Sequence, residues 1–231
     1  MKTIGMIGGM SWESTSAYYT KINRGVKAIL GDLHSAKICL YSVDFYEIEK
    51  LQQAGDWQAS AEILIKAARS VEAGGADFLI ICTNTMHKVA PQIQEAISIP
   101  VLHIADATAA VLKANKIKNV GLLGTRFTMQ QDFYKNIIIE NYQIDVLVPR
   151  FSAQTVIHNI IYEELCLGEI KEKSREKYVD VIDELAVAGA EAIILGCTEI
   201  TLLIQQTHTS VPLFDTTEIH AQAAVKLAIE H

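Results

Sequence analysis

The sequence predicts an α/β protein of two pseudo-symmetric domains, each a doubly wound parallel sheet. Three observations support this fold class: an internal repeat, short continuous apolar runs, and helical patterns between those runs. Apolar runs that alternate with helices are typical of parallel sheets covered by helices on both faces.

The internal repeat is the strongest of these observations. Residues 75–85 align without a gap with residues 189–199, at an offset of 189 − 75 = 114. Two further pairs occur in the same order along the chain, 4–9 with 120–125 and 99–102 with 211–214. One such match is common among α/β proteins, whereas three matches in series indicate two copies of one folding unit.

Each matched run is an apolar segment bounded by Gly, Asn, Thr or Pro, which suits a parallel strand buried on both faces. Helical patterns separate the runs at 14–30, 56–74, 89–97, 129–141, 174–189 and 217–230. The two halves therefore have the same order of strands and helices.

The composition excludes several classes of protein. The chain has 231 residues, 50% of them hydrophobic and 20% charged, with a net charge of −7. No apolar run approaches the roughly 20 residues of a membrane span, and the scattered Lys and Arg residues form no basic stripe for nucleic acid. The N-terminal run lacks the long apolar segment of a secretory signal, so we expect a cytoplasmic protein without membrane or nucleic-acid partners.

The cysteines and glycines predict neither a metal site nor a dinucleotide site. Four cysteines lie far apart and form no CxxC pair: Cys39, Cys82, Cys166 and Cys197. A metal site would draw on Cys82, His87, His103 and Cys197, which lack the paired spacing of ligands on one element. The glycine runs at 5–9 and 121–124 match neither a dinucleotide nor a phosphate motif, so we expect tight turns there.

Polar residues follow the carboxyl ends of the repeated runs, where open α/β sheets bind their ligands. They occupy positions 8–11, 83–85 and 103 in the first half, and 124–126, 197–199 and 215–217 in the second. Four of them offer hydroxyl or amide groups that suit either a helix cap or the stabilisation of a carbanion through a carboxylate: Asn84, Thr85, Thr125 and Thr198.

The gapless repeat places Thr83 and Cys197 at equivalent strand ends. If the halves face each other, these side chains approach one ligand from opposite sides, which suits removal and return of a proton on a carbon. A helix N-terminus lowers a thiol pKa from about 8.5, so we expect Cys197 to supply a thiolate. Cys82 aligns with Gly196 instead, and neighbouring strand residues point to opposite faces, so Cys82 should pack behind the site.

Three motifs carry a family resemblance: residues 7–15 (IGGMSWEST), 83–87 (TNTMH) and 195–200 (LGCTEI). With these motifs the sequence resembles the aspartate/glutamate racemase superfamily, especially the broad-specificity, L-aspartate- and L-glutamate-specific amino-acid racemases of the aspartate racemase type. The resemblance implies cofactor-independent racemisation without PLP, with the active site in the cleft between the two pseudo-symmetric domains. Homodimers are implied as well. It also implies that the C-terminal segment packs on the first domain, so we expect domains of residues 1–98 with 208–231 and of residues 99–207.

The resemblance also assigns roles to the paired strand ends. Most members carry cysteine where this sequence has Thr83. By the resemblance, Cys197 removes the proton of the L-amino acid and Thr83 returns one to form the D-amino acid. Because a threonine hydroxyl is a poorer base than a thiol, we expect higher initial rates from L-substrates.

Further substrate contacts follow from the same comparison. Met10 and Gln52 match substrate-contacting positions of the resembling enzymes. Glu199 could hold the substrate ammonium or orient Cys197, and Glu164 is a second candidate for the ammonium. No Lys or Arg occupies 51–53 or 164–166, near which the resembling enzymes bind the side-chain carboxylate, so broad acidic specificity is expected.

Three alternatives stay open from the sequence. The chain could be a cysteine-dependent decarboxylase or isomerase of the same superfamily, although its motifs are closer to the racemases. It could also be an amino-acid-binding protein without catalysis. A PLP enzyme would need Lys21 or Lys88, the lysines nearest to strand ends.

Overall fold

The computed structural model describes residues 1–230 and contains two compact units. Unit 1 comprises Met1–Ile104 and the segment from His220 onward, and unit 2 comprises Ala105–Ile219. The expected boundaries, after residues 98 and 207, lie before the observed ones, which follow Ile104 and Ile219. The reason is strand pairing: Val101 forms a bridge with Leu79 of unit 1, and the strand at Leu213–Asp215 pairs within unit 2.

Unit 1 is built on a parallel sheet of three strands, β1 (Ile4–Gly8), β2 (Ile38–Ser42) and β3 (Phe78–Ile81), in the order β2-β1-β3. The expected fourth strand at 99–102 is only the single bridge between Val101 and Leu79. The next helix, α5 (Ile104–Ala114), begins almost at once, so no longer ladder forms.

Helices cover both faces of the unit 1 sheet. They are α1 (Trp12–Leu30), α2 (Phe45–Ala54), α3 (Trp57–Ala73), a 3₁₀ turn (Thr85–Val89), α4 (Ala90–Ala96) and, from the chain's end, α11 (Thr216–Ile229). One core cluster joins Ile7 and Ile81 to α3, and the opposite cluster joins Ile4 and Ile80 to α1 and α11. The alternation of strand side chains between two cores is what a parallel sheet covered on both faces requires.

Unit 2 repeats this plan with four parallel strands, β4 (Asn119–Gly124), β5 (Asp145–Leu147), β6 (Ala192–Gly196) and β7 (Leu213–Asp215), in the order β5-β4-β6-β7. Besides α5, which starts at the unit boundary, its helices are α6 (Arg126–Gln130), α7 (Asp132–Asn136), a π turn (Ile137–Asn141), α8 (Phe151–Glu163), a 3₁₀ turn (Leu165–Leu167), α9 (Glu172–Val187), α10 (Ile200–Leu203) and a 3₁₀ turn (Gln206–His208). The pattern at 129–141 therefore predicted one helix where the structure has three short ones.

The α/β fold class and its internal repeat are confirmed by the two parallel sheets. The N–H of Leu79 donates to the carbonyl of Pro100, and the N–H of Ile193 donates equivalently to Pro212. Both prolines thus follow the offset seen in the sequence. None of the helices formed by residues 1–230 is long and apolar enough to cross a membrane.

The glycine runs were wrongly predicted as tight turns. Gly5 and Gly121 lie inside β1 and β4, where a helix packs closely on the sheet. A Cβ atom at Gly5 would lie 2.5 Å from Val71 Cγ1 of α3, and one at Gly121 would lie 3.0 Å from Leu185 Cδ1 of α9 and 2.5 Å from Ile193 Cδ1 of the neighbouring strand β6. The shared glycine spacing of the two runs therefore reflects packing. Of the glycines in these two runs, only Gly9 has a positive φ and forms the predicted turn.

Gly9 is held where no side chain fits. Its φ is 94°, and a Cβ atom there would lie 2.1 Å from the carbonyl oxygen of Val43. Its N–H donates to Thr15 Oγ1 at 2.8 Å, which fixes the turn between β1 and α1.

We expect Gly9→Ala to lower the free energy of unfolding by about 2–4 kcal/mol, since it combines backbone strain with overpacking. Gly55→Ala is the matched control, because Gly55 has φ of 72° and open space around it, so it should cost only about 1 kcal/mol. Urea unfolding of both variants measures the difference. Equal losses would show that the contact with Val43 carries no energy.

Two buried polar side chains join α1 to α11 inside unit 1. Tyr18 Oη lies 2.9 Å from His220 Nδ1, and His220 Nε2 lies 2.8 Å from the carbonyl oxygen of Leu102. Since that carbonyl can only accept, Nε2 carries the proton and Nδ1 accepts from Tyr18. Burial lowers the pKa of the neutral His220 ring to about 4.

His220 should therefore make stability depend on pH. The unfolded chain takes up a proton near pH 6.5 that the folded chain excludes until about pH 4, so stability falls as pH falls through this window, by up to about 3 kcal/mol. Urea unfolding between pH 7.5 and 4.5 should show this slope, and His220→Gln should make it shallower, with the rest of the slope supplied by His87, whose pKa burial also lowers. His34→Gln, at an exposed histidine, is the control, and an equally flattened slope there would contradict the assignment.

Candidate active site

The end of β3 carries the first group of candidate residues. Cys82 is fully buried in the cluster around Ile4, Met6 and Tyr18, and burial raises the pKa of its thiol. The next residue, Thr83, is half-buried. Cys82 thus packs behind the strand end, as the alternation along the strand predicted.

His87 fixes the backbone at Thr83. Its Nδ1 lies 2.8 Å from the Thr83 carbonyl oxygen, and its Nε2 accepts from the N–H of Ile104 at 3.2 Å. The ring is 1% exposed. Burial, followed by the neighbouring His103 and His220, lowers its pKa well below the usual value. His87 is therefore neutral, with its proton on Nδ1.

The other unit 1 candidates surround this strand end as buried polar or apolar groups. Asn84 and Thr85 are 4% and 6% exposed, and Thr85 begins the 3₁₀ turn. Gln52, on α2, is buried and its Nε2 lies 3.0 Å from Met86 Sδ. Met10 is buried after β1 in the same apolar cluster as Met86. These contacts bring α2 and the residues after β1 to the turn that follows β3.

The end of β6 carries the second group. Cys197 is half-buried, and its Sγ donates to Glu199 Oε2 at 2.9 Å. Burial and the Glu199 carboxylate raise the pKa of this thiol well above its usual value. The expected lowering of the Cys197 pKa is therefore wrong. The helix that follows, α10, has one turn only, and so short a helix opposes burial weakly.

Hydroxyl groups lie around the Cys197 strand end. Gly124 of β4 is the register partner of Gly196 in β6, so Thr125 and Cys197 leave the sheet side by side. Thr125 caps α6 by accepting from the N–H of Thr128. Thr198 Oγ1 accepts from Thr217 Oγ1 at 3.2 Å. These two threonines therefore serve as caps or partners within unit 2 as well as candidates for substrate.

Glu164 is already engaged with other side chains. Its Oε2 accepts from Ser174 Oγ at 2.6 Å, and its Oε1 lies 3.7 Å from Lys171 Nζ. Burial raises the pKa of Tyr178, and the nearby Cys197, Cys166, Glu164 and Glu199 raise it further. Glu164 thus belongs to the same cluster as Cys197.

Arg126 is a basic residue that the sequence analysis did not select. It follows Thr125 directly, and its backbone N–H donates to His158 Nδ1 at 3.3 Å. Its Nε is buried and has no hydrogen-bond partner among residues 1–230. Burial lowers the pKa of His158, and the Arg126 charge lowers it further. The only sequence signal was the place of Arg126 at a repeated strand end.

Two of the residues considered as metal ligands, His87 and His103, have neighbouring rings in the structure. The His87 ring lies 4.5 Å from the His103 ring and 5.7 Å from the His220 ring, centroid to centroid. Within residues 1–230, no group of three or more His, Cys, Asp or Glu side chains is placed to hold a metal ion.

Comparisons with known proteins agree with this architecture. The family model Asp/Glu/Hydantoin racemase matches residues 7–224. A crystal structure of a candidate Asp/Glu racemase from Yersinia pestis is 55% identical, covers 100% of both chains and has a TM-score of 0.95. The structure of an aspartate racemase homologue from Pyrococcus horikoshii OT3 is 35% identical, covers 100% of both chains and has a TM-score of 0.85.

The name of one curated relative describes a broad substrate range. The broad specificity amino-acid racemase RacX of Bacillus subtilis (strain 168) is 24% identical over 96% of each chain. The family match extends over nearly the whole chain, and the relatives are named as racemases, which are isomerases; PLP independence fits this family. The chain belongs to the Asp/Glu/hydantoin racemase family and is an amino-acid racemase.

Proposed function

We propose that this racemase converts L-glutamate and L-aspartate to their D-forms without a cofactor. In this proposal Cys197 removes the α-proton of the L-amino acid, and Thr83 returns a proton on the opposite face of the same carbon. The observation that carries it is the hydrogen bond from Cys197 to Glu199 at the end of β6. The names of the relatives, which include an aspartate racemase homologue and a broad specificity racemase, support the substrate class.

Because the pKa of the Cys197 thiol is raised, the mechanism needs a base that deprotonates this thiol, and we assign that role to Glu199. Cys197 rests as a thiol, which cannot remove a proton from carbon. The carboxylate of Glu199 accepts the thiol proton along the existing hydrogen bond, so the thiolate forms next to the substrate. The thiolate then takes the α-proton, and the Thr83 hydroxyl gives its proton to the carbanion. Water returns a proton to Thr83, and the proton held by Glu199 neutralises the hydroxide that remains, so that all three side chains regain their starting state.

The carbanion needs donors around the substrate carboxylate, because the charge on carbon spreads into that group. We assign this role to side chains at the strand ends: Asn84, Thr85, Thr125 and Thr198. Met10 and Gln52 stay predicted substrate contacts. Glu164 stays a prediction for the ammonium, and its bonds to Ser174 and Lys171 compete with that role. The homodimer and the cytoplasmic location stay predictions as well.

The two directions of racemisation, from the L-amino acid and from the D-amino acid, should differ in kcat. Because L- and D-amino acids have equal free energies, kcat/KM must be equal in the two directions. The weaker base at Thr83 therefore shows itself at saturating substrate, where D-glutamate should turn over more slowly than L-glutamate.

The first test uses L-glutamate and L-aspartate in D₂O, with α-proton exchange followed by NMR and inversion by circular dichroism. We expect exchange and inversion from both substrates, and a loss of about 10³-fold or more in Cys197→Ala. Glu199→Gln should lose about 10²-fold near pH 7 and recover as pH rises, since the half-buried thiol then gives its proton to hydroxide.

Cys166→Ser is the matched control, because Cys166 is half-buried near Cys197 and has no proposed role. Its activity should stay close to that of the unchanged protein. If the L-substrates showed neither α-proton exchange nor inversion, the proposal would be wrong. Loss of CO₂ from a substituted malonate, or binding of an amino acid without exchange, would then identify a decarboxylase or a binding protein.

We infer that Arg126 binds the side-chain carboxylate of the substrate. Its guanidinium carries a buried Nε that has no hydrogen-bond partner in the described part of the chain, residues 1–230, and it lies beside the strand end that holds Thr125 and, across the register, Cys197. A buried guanidinium group gains most from a charged acceptor, and a carboxylate matches its planar array of donors.

Arg126→Gln should lower kcat/KM for L-glutamate by about 10²-fold, as expected for loss of a charge-assisted pair worth about 2–3 kcal/mol. The kcat/KM for L-glutamine should change much less, so the ratio of the two reports the charge. Arg150→Gln is the control, since Arg150 pairs with Glu184 at the surface. An unchanged ratio in Arg126→Gln would exclude this role.

A further inference from the structure

We propose that His87 is a positioning residue for racemisation, which holds the backbone of Thr83 so that its hydroxyl meets the carbanion. This inference rests on the proposed role of Thr83. His87 does not touch the reacting atoms in this scheme. It acts through the carbonyl group that it binds.

The ring connects two segments that are distant in sequence. Nδ1 donates to the Thr83 carbonyl at 2.8 Å, and Nε2 accepts from the Ile104 N–H at 3.2 Å. A carbonyl can only accept and an amide N–H can only donate, so both bonds form in one neutral tautomer alone. With both nitrogens engaged, the ring has one orientation.

The segment around Ile104, to which the His87 ring binds, is itself fixed by hydrogen bonds in unit 1. His220 Nε2 donates to the carbonyl of Leu102, two residues before Ile104, and Tyr18 donates to the other nitrogen of that ring. His87 is 1% exposed and His220 is 0% exposed. Thr83 is thus tied through His87 to a segment that the core of unit 1 already fixes.

A fixed backbone matters more for Thr83 than for a thiol. The hydroxyl must lie within about 3 Å of the carbanion, and a displacement of about 1 Å can cost about 10²-fold in rate. The short Thr83 side chain starts one bond from the held peptide, so movement of that carbonyl moves the hydroxyl directly.

Two variants separate the two bonds of the ring. The amide nitrogen of Asn lies near the position of Nδ1, so His87→Asn can keep the bond to Thr83. The side-chain oxygen of Gln lies near Nε2, so His87→Gln can keep the bond to Ile104 and loses the donor to Thr83. The measurement is inversion of L-glutamate in D₂O against deuterium uptake into the remaining L-glutamate.

We expect His87→Gln to lower inversion about 10–10²-fold and to raise the ratio of uptake to inversion toward that of Thr83→Ala. His87→Asn should keep the ratio of the unchanged protein. A structural role alone would lower both rates together and leave the ratio unchanged in both variants, which would overturn the proposal.

A second measurement needs no activity. The ¹⁵N chemical shifts of the His87 ring near pH 7 should report a neutral ring protonated on Nδ1. A charged ring, or a proton on Nε2, would overturn the proposal even if the variants fail to fold. If the unchanged protein has this tautomer but no racemase activity, the proposed function fails and the bond to Thr83 does not.

Discussion

The register between neighbouring parallel strands is the constraint on which the candidate site depends. Gly124 of β4 pairs with Gly196 of β6, and Ile7 of β1 pairs with Ile81 of β3. Parallel strands in register end at the same edge, so backbone hydrogen bonds decide which polar residues become neighbours. A Cβ atom at Gly196 would lie 2.8 Å from the carbonyl oxygen of Leu123. The register thus requires glycine immediately before Cys197.

Features repeated in the sequence were predictable, because a buried parallel strand needs a continuous apolar run in each copy. The strand cores at Phe78–Ile81 and Ala192–Gly196 follow from this rule. The edge strand β2 escaped prediction since its residues are only partly buried or exposed. The helices α2, α5 and α8 were not predicted either. In the structure α2 and α8 occupy equivalent places after the edge strands β2 and β5, and α5 follows the bridge at Val101 as α11 follows β7.

Within the candidate site, the sequence predicted that Thr83 and Cys197 follow equivalent strands, β3 and β6, but it did not predict their electrostatics. The pKa of Cys197 depends on burial and on a carboxylate two residues away, and only the fold determines which way Glu199 turns. Arg126 stood in the sequence next to Thr125, and its buried Nε depends on packing that no local pattern reveals. His87 likewise binds Ile104, a residue seventeen positions away.

The order of the units along the chain has a consequence for biosynthesis. Unit 2 is continuous, whereas the core of unit 1 includes Ala221, Ala224 and Val225 beside Ile4. The N–H of Lys2 also donates to the carbonyl of Ala228. On the ribosome, the whole of unit 2 emerges before the helix that completes the first core. Synthesis of unit 1 therefore starts first and is completed last. Until α11 is made, the apolar side chains that it covers stay exposed, and chaperones can bind them during this period.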